Sequence, residues 1–256
     1  MGTADLTISP SDDRQSWDKF LKWIDRHVGE KWVFRGLGDS SFGLLPGIGR
    51  LGMDAYSAGL FERQILETFA ARAPAYERIS DYSIWDVVAL AQHHGLPTRL
   101  LDWTHSPLVA AYFAVAGDAK QNLESTAVDA KIVATRFGSS NVLNLNVGSE
   151  QPKTFRATFE ALNGRGVSFL VPRSISPRIV AQSSLFSVHE NPLHPWDRPE
   201  LDQSHTFQVP ARARGYFQWR LSLLGIDAQY IMGGLDGLCA KLKWDVGRIV
   251  GRGAAR

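Results

Sequence analysis

Apolar side chains recur at three- and four-residue steps through Trp17, Phe20, Leu21, Ile24 and Val28. That is the period of an amphipathic helix with one buried stripe, and Ser9 and Ser11 ahead of it are suited to cap its start. The run Lys31-Trp32-Val33-Phe34 reads as a short buried strand ended by Arg35-Gly36, at the edge of the turn-rich GLGDSSFGLLPGIGR. Arg35 is thereby expected at a strand end, facing a loop. A second helix is predicted over 55–72, with Tyr56, Leu60, Ile65 and Phe69 on its stripe, and a third over 85–94, stopped by Gly95-Leu96-Pro97. Residues 98–103 have the length and content of a strand. Ser106-Pro107 then couples an N-cap to a proline at the first helical position, opening a helix over 107–116 that is apolar nearly all round and so must be buried.

The second half is richer in β-type content, at 131–137, 142–147, 167–171, 178–188 and 205–209. Helices return over 210–224, closed by Gly225, and over 235–243, with 226–231 as a final strand between them. Leu235, Leu238, Cys239 and Leu242 make a helical apolar stripe, which predicts core packing for the cysteine. The stretch 191–203 holds Pro192, Pro195 and Pro199 and reads as a surface loop near the functional site. No internal repeat or long linker breaks the chain. The economical architecture is one α+β domain over 1–256, its core about 15–245, with a mixed or antiparallel sheet and flanking helices.

At 256 residues and 44% hydrophobic composition the chain has material for a substantial core. Its 28 basic and 26 acidic residues are well mixed, and a net charge of +2 provides no broad cationic face for duplex nucleic acid. One cysteine excludes an intramolecular disulfide and a multi-cysteine zinc site, and it fits a reducing compartment. The N-terminal stretch has no apolar signal-like core, and nowhere do eighteen apolar residues run together. A cytoplasmic protein without a membrane partner is expected.

Candidate chemistry concentrates in WDVVALAQHHGLPTRLLDWTHSPLVAAYFA, residues 85–114. His93, His94, Arg99, Asp102, Thr104 and Ser106 lie there between two apolar helices. Leaving such groups buried without partners costs roughly 1–3 kcal/mol each, so a hydrogen-bonded network beside a pocket is expected. Structural roles are open to the same residues. Arg35 could pair with Asp102 or Glu62, Asp102 with Arg99 or Arg35, Ser106 could be an N-cap, and the two histidines could cap helix carbonyls. No metal is expected, because adjacent helical residues diverge by about 100° and rarely chelate one ion. The glycine-rich loop lacks the GK[ST] ending of a phosphate-binding loop.

The segments FRG (34–36), LLPGIGR (44–50), AQHHGLPTRLLDWTHSPLVAAYFA (91–114), RIVAQSSLF (178–186) and GLDGLCAKL (234–242) together resemble the FRG domain family in order and rough spacing. More remotely, Arg35 after a strand and then Thr104, Ser106, Pro107, Ala111 and Ala114 resemble the first two motifs of ADP-ribosyltransferases of the Arg-Ser-Glu type. That resemblance implies a split, mixed sheet and NAD as substrate, contacted by Arg35, Gly36, Arg99, Thr104 and Ser106. It also implies a third-motif residue, here Gln182, projecting toward Arg35 where such enzymes carry a glutamate. Glu190 and Asp102 are the other carboxylates at hand.

Three functions follow as expectations. The first is an ADP-ribosyltransferase-like toxin or antiphage effector, using NAD and a protein or nucleic-acid acceptor. The second is a phosphodiester-cleaving effector with His93 and His94 as acid and base. The third is a noncatalytic sensor that binds a nucleotide or a protein in the same pocket.

Overall fold

In the computed structural model, which describes residues 10–29, 31–79, 81–116, 128–136, 153–171, 184–197 and 205–253, six strands form one sheet in the order β4-β5-β2-β1-β3-β6. They are β1 (Trp32–Leu37), β2 (Leu100–Thr104), β3 (Ala130–Arg136), β4 (Val167–Leu170), β5 (Ser184–His189) and β6 (Thr206–Val209). Every ladder is antiparallel, so the α+β class holds and the antiparallel form of the sheet is the one adopted. β1 and β3 pair along their length, from Trp32 opposite Arg136 to Leu37 opposite Lys131. β1 and β2, by contrast, pair at a single position, Phe34 opposite Thr104. The sheet is therefore almost split at its centre.

The helices are α1 (Pro10–Asp25), α2 (Ala55–Arg72), α3 (Ile84–His93), α4 (Pro107–Val115), α5 (Phe155–Glu160), α6 (Arg214–Leu223), α7 (Ala228–Met232) and α8 (Gly234–Gly253). Side chains alternate between the two faces of a strand. Phe34 and Thr104, being cross-strand partners, thus point to the same face. On that face α1, α4 and α6 cover the β1-β3-β6 half through Trp17, Phe20, Ala110, Ala114 and Phe217. There α2, α3 and α5 cover the β2-β5-β4 half through Leu66, Val88 and Phe155, packed with Leu100, Phe186 and Val188. On the reverse face Val33, Leu37, Leu101, Trp103, Phe169 and Leu185 are closed over by Leu44 and Trp196.

Local signals fix the ends of these elements. Ser83 and Asp86 form a reciprocal capping box at α3. Gly95, at φ +87°, ends that helix, with Leu96 N–H donating to the Ala91 carbonyl at 3.0 Å. Ser106 caps α4 with Pro107 at its first turn. Several departures from the sequence pattern have physical causes. α1 buries Trp17, Phe20 and Trp23 and leaves Leu21 exposed, because the large aromatic rings face the sheet, and it ends at Asp25, so the exposed Val28 lies beyond it. Residues 226–231, expected as a strand, instead start α7, because Asp227 accepts from Tyr230 N–H and nucleates a helix turn. α5, capped by Thr154, lies where no element was expected. Cys239, expected in the core, is exposed, since α8 turns its other face to the body. The strand expected at 142–147 and the start of that at 178–188 lie outside the described residues.

β1 runs past Phe34, so Arg35 and Gly36 sit within the strand rather than beyond its end. Gly36 is where α4 crosses closest. A Cβ there would meet the Ala110 carbonyl oxygen at 2.0 Å and the Ala114 nitrogen at 2.5 Å. Both obstacles are backbone, so no rotamer change relieves them. Gly36→Ala is expected to lower the unfolding free energy by about 3 kcal/mol or more, at the upper end of overpacking costs, measured as a shift in the urea midpoint.

Candidate functional site

A concavity of about 320 Å³ lies over the central gap in the sheet, lined by Phe34, Arg35 and Gly36 of β1, Asp102, Trp103 and Thr104 of β2, Gln92 and His93 of α3, and Ala110 and Phe113 of α4. Its origin is the divergence of β1 and β2. The two strands meet at Phe34 and Thr104 and separate beyond, while α3 and α4 stand on either side. By strand alternation Arg35 starts from the reverse face. Its guanidinium reaches the gap, where Nη1 donates to the Asp102 carbonyl at 2.5 Å and lies 3.6 Å from the Asp102 carboxylate. A side-chain hydrogen bond and an ion pair thus stand where a backbone ladder would have run.

The arginine is 14% exposed and the aspartate 53%. Burial pushes the Arg35 pKa down, opposed by the Asp102 charge. Among the described residues Arg35 Nε is buried without a hydrogen-bond partner, an unsatisfied donor of a kind native interiors rarely keep. Asp102 is positioned from its other side by a chain of hydrogen bonds: Leu100 N–H to Thr98 Oγ1 at 3.1 Å, Thr98 hydroxyl to Gln92 Oε1 at 2.7 Å, and Gln92 Nε2 to Asp102 Oδ2 at 3.0 Å. Gln92 and Thr98 were not singled out in the sequence. Their signal was the placement of two amide- and hydroxyl-bearing side chains inside the apolar segment 85–114.

The expected site residues divide accordingly. Arg35, Gly36, His93, Asp102 and Thr104 line one concavity. Thr104 Oγ1 also accepts from Ser106 N–H at 3.0 Å, and Ser106 Oγ accepts from Val109 N–H at 3.3 Å as the α4 cap. Ser106 is not among the lining residues. His94 is exposed at the α3 terminus, its ring 5.3 Å from that of His93. Arg99, expected beside a ligand, is instead buried against Glu62, with Nε and Nη2 on Glu62 Oε2 at 3.0 and 2.7 Å and its own N–H on Oε1 at 2.7 Å. Its guanidinium also covers the Phe159 ring at 3.8 Å. Glu62 projects from α2 and Arg99 lies against Phe159 of α5; both are buried, and pairing is the condition for burying either charge. Glu190, a candidate carboxylate, accepts from Gly164 and Gly166 N–H away from the concavity. Gln182 lies outside the described residues.

Beneath the gap, on the reverse face, Trp103 Nε1–H donates to Ser187 Oγ at 2.9 Å, and Ser187 Oγ is 2.9 Å from His189 Nε2. The indole can only donate, so the serine hydroxyl hydrogen is left to point at an unprotonated Nε2. A neutral His189 fits this arrangement. Burial, with Arg35 and Arg99 adding repulsion, pushes its pKa down to about 3.

An FRG domain family model matches residues 30–123, a segment that carries every residue lining the concavity. No curated protein and no solved structure matches the chain.

The His189 environment sets a pH dependence. With the folded pKa near 3 and an unfolded value near 6.5, the unfolded chain binds the proton first as pH falls. Stability is accordingly lost between about pH 6.5 and 3 rather than gained. Between pH 7 and 5 this group alone is expected to remove about 2 kcal/mol. Urea titrations at the two pH values should show that loss in the wild type and a correspondingly flatter dependence in His189→Gln, whatever the absolute stability of the variant.

Proposed function

We propose that the concavity between β1 and β2 holds NAD and that the chain transfers or hydrolyses its ADP-ribosyl group, with a protein or nucleic acid as acceptor. The observation that carries this reading is the Arg35 guanidinium at the floor of the gap, held by Asp102 yet keeping a buried Nε without a partner among the described residues. A planar fork fixed in this way suits a phosphate or ribose oxygen. The volume of about 320 Å³ is at the small end for ligand sites, which suits a nicotinamide riboside half more than a whole dinucleotide. Phe34 and Phe113 add apolar lining to it. Asp102, half exposed and oriented by Gln92, is the carboxylate in reach of a ribose hydroxyl. As the C1′–N bond breaks, its electron pair leaves on nicotinamide, and the positive charge developing at C1′ is stabilised by that carboxylate. Water or the acceptor nucleophile then forms the new bond at C1′ and loses its proton.

A second reading is favoured by one observation. His93 lines the same concavity and could exchange a proton with a phosphodiester held by Arg35. His94, exposed and off the lining, would have to serve from the rim.

Calorimetric NAD binding, nicotinamide release and nucleic-acid integrity separate these readings in proteins whose melting temperatures show them folded. Wild type should bind NAD and release nicotinamide. Arg35→Ala should weaken binding by roughly 10- to 150-fold, the equivalent of a charge-assisted hydrogen bond of about 1.5–3 kcal/mol, with little recovery in Arg35→Lys. Asp102→Asn should keep binding and lose about 10²–10³ in release rate. Folded wild type that neither binds NAD nor releases nicotinamide would end this reading, and cleavage of RNA or DNA lost in His93→Ala would install the second.

A further inference from the structure

α8 has two apolar faces and only one of them is packed. Gly237, Ala240, Lys241 and Trp244 face the body: Gly237 abuts Ala228 and Met232, and the other three line a cavity with Tyr112, Gln218 and Ile231. At 100° per residue, the opposite face is formed by Leu235, Cys239, Leu242 and Val246. They are exposed, the leucines at 78% and 52% and the valine at 59%. Their spacing of four, three and four residues is that of a coiled-coil seam. A single exposed leucine needs no explanation, but a heptad-spaced row along a helix already fixed by its other face does.

We infer that this face is an antiparallel helix-to-helix interface between two copies of the chain. Four features select that occupant. Opposed head to tail with Leu235 level with Val246 of the second copy, the seam also sets Cys239 level with Leu242, and the two-fold axis repeats both layers, so all four positions are filled without a gap or a slip. Asp236 and Lys243 both flank the seam on one side and are exposed. Antiparallel pairing places Asp236 beside Lys243 of the second copy, and the symmetry makes that pair twice. A parallel pairing instead sets Lys243 against Leu238 and gives Asp236, in the first turn of α8, no opposite charge in register. Finally, the charge nearest the other flank, Asp245, is already held by Lys241 at 2.6 Å, so it adds no unpaired repulsion. Four side chains a copy are fewer than the 20 to 30 residues a side of a standard interface, so the association is weak and concentration-dependent, in roughly the micromolar range.

Sedimentation equilibrium of the full chain tests this, with circular dichroism to show that each variant is folded. Wild type should pass from monomer to dimer as concentration rises. Leu242→Glu should stay monomeric. Asp236→Lys and Lys243→Asp should each weaken the dimer about tenfold, because every substitution acts twice across the axis, and the double variant Asp236→Lys/Lys243→Asp should regain wild-type affinity. Cys239 is the chain's one cysteine, so a short bismaleimide should link wild-type copies and fail to link Leu242→Glu copies. A wild type that stays monomeric at the highest concentrations, or a dimer indifferent to Leu242→Glu, overturns the interface and leaves the face to a different partner. Failure of the double variant to recover overturns the antiparallel register.

Discussion

The contact on which the rest of the site depends is the bridge from Arg35 to Asp102. An antiparallel sheet gains stability from continuous ladders, yet β1 and β2 share one pair and then part. Parting them exposes backbone groups that need partners. The guanidinium supplies a donor to the Asp102 carbonyl, and its charge is balanced by the carboxylate beside it. The arginine thus both tolerates the gap and occupies its floor. An apolar residue of similar length, such as methionine, would satisfy neither the carbonyl nor the carboxylate.

The gap also needs walls, and these come from elements held by other polar groups. Arg99 and Glu62 form a buried pair that ties α2 to the start of β2, and the Arg99 carbonyl accepts from His189 N–H at 3.2 Å. Such a pair contributes little net stability but is costly to break from one side, which makes it an anchor for position. Arg214 does similar work on the opposite side. Buried in α6, it donates to the carbonyls of Gly38, Val128 and Ala114 at 3.0 Å each, fastening the end of β1 to the last turn of α4. Gly36 completes the arrangement by letting α4 lie against the β1 backbone. The FRG triplet therefore joins an apolar anchor at Phe34, a charged floor at Arg35 and a close crossing at Gly36.

Polar residues of the segment 85–114 sort by what they can still do. Thr98, Ser106 and Arg99 have their hydrogen-bonding capacity engaged in shaping the segment. Asp102 is engaged on one side and half open on the other, and Gln92 and Thr98 give it a fixed orientation without adding charge. The reverse face adds a constraint of its own, because a second cation on His189 would stand close to both Arg35 and Arg99. Keeping that imidazole neutral leaves Arg35 as the cation lining the concavity.

What the sequence by itself determined was local. The helix at 55–72, the stop at Gly95, the cap at Ser106-Pro107 and the buried character of α4 were legible because periodicity, αL glycine and N-cap chemistry act within a few residues. Of the polar groups clustered between apolar helices, His93, Asp102 and Thr104 share one concavity with Arg35 and Gly36 of β1. Partner choice was not legible. Whether Arg35 pairs with Asp102 or Glu62, and which of these Arg99 takes, depends on the spatial order of β1, β2 and α2, about which side-chain identity says nothing. Nor could periodicity tell that Leu235, Cys239 and Leu242 face away from the core, since an apolar stripe records only that a face avoids water and not what covers it. Tertiary structure decided both, because charge pairing and burial are settled by which surfaces meet, and those surfaces come from elements far apart in the chain.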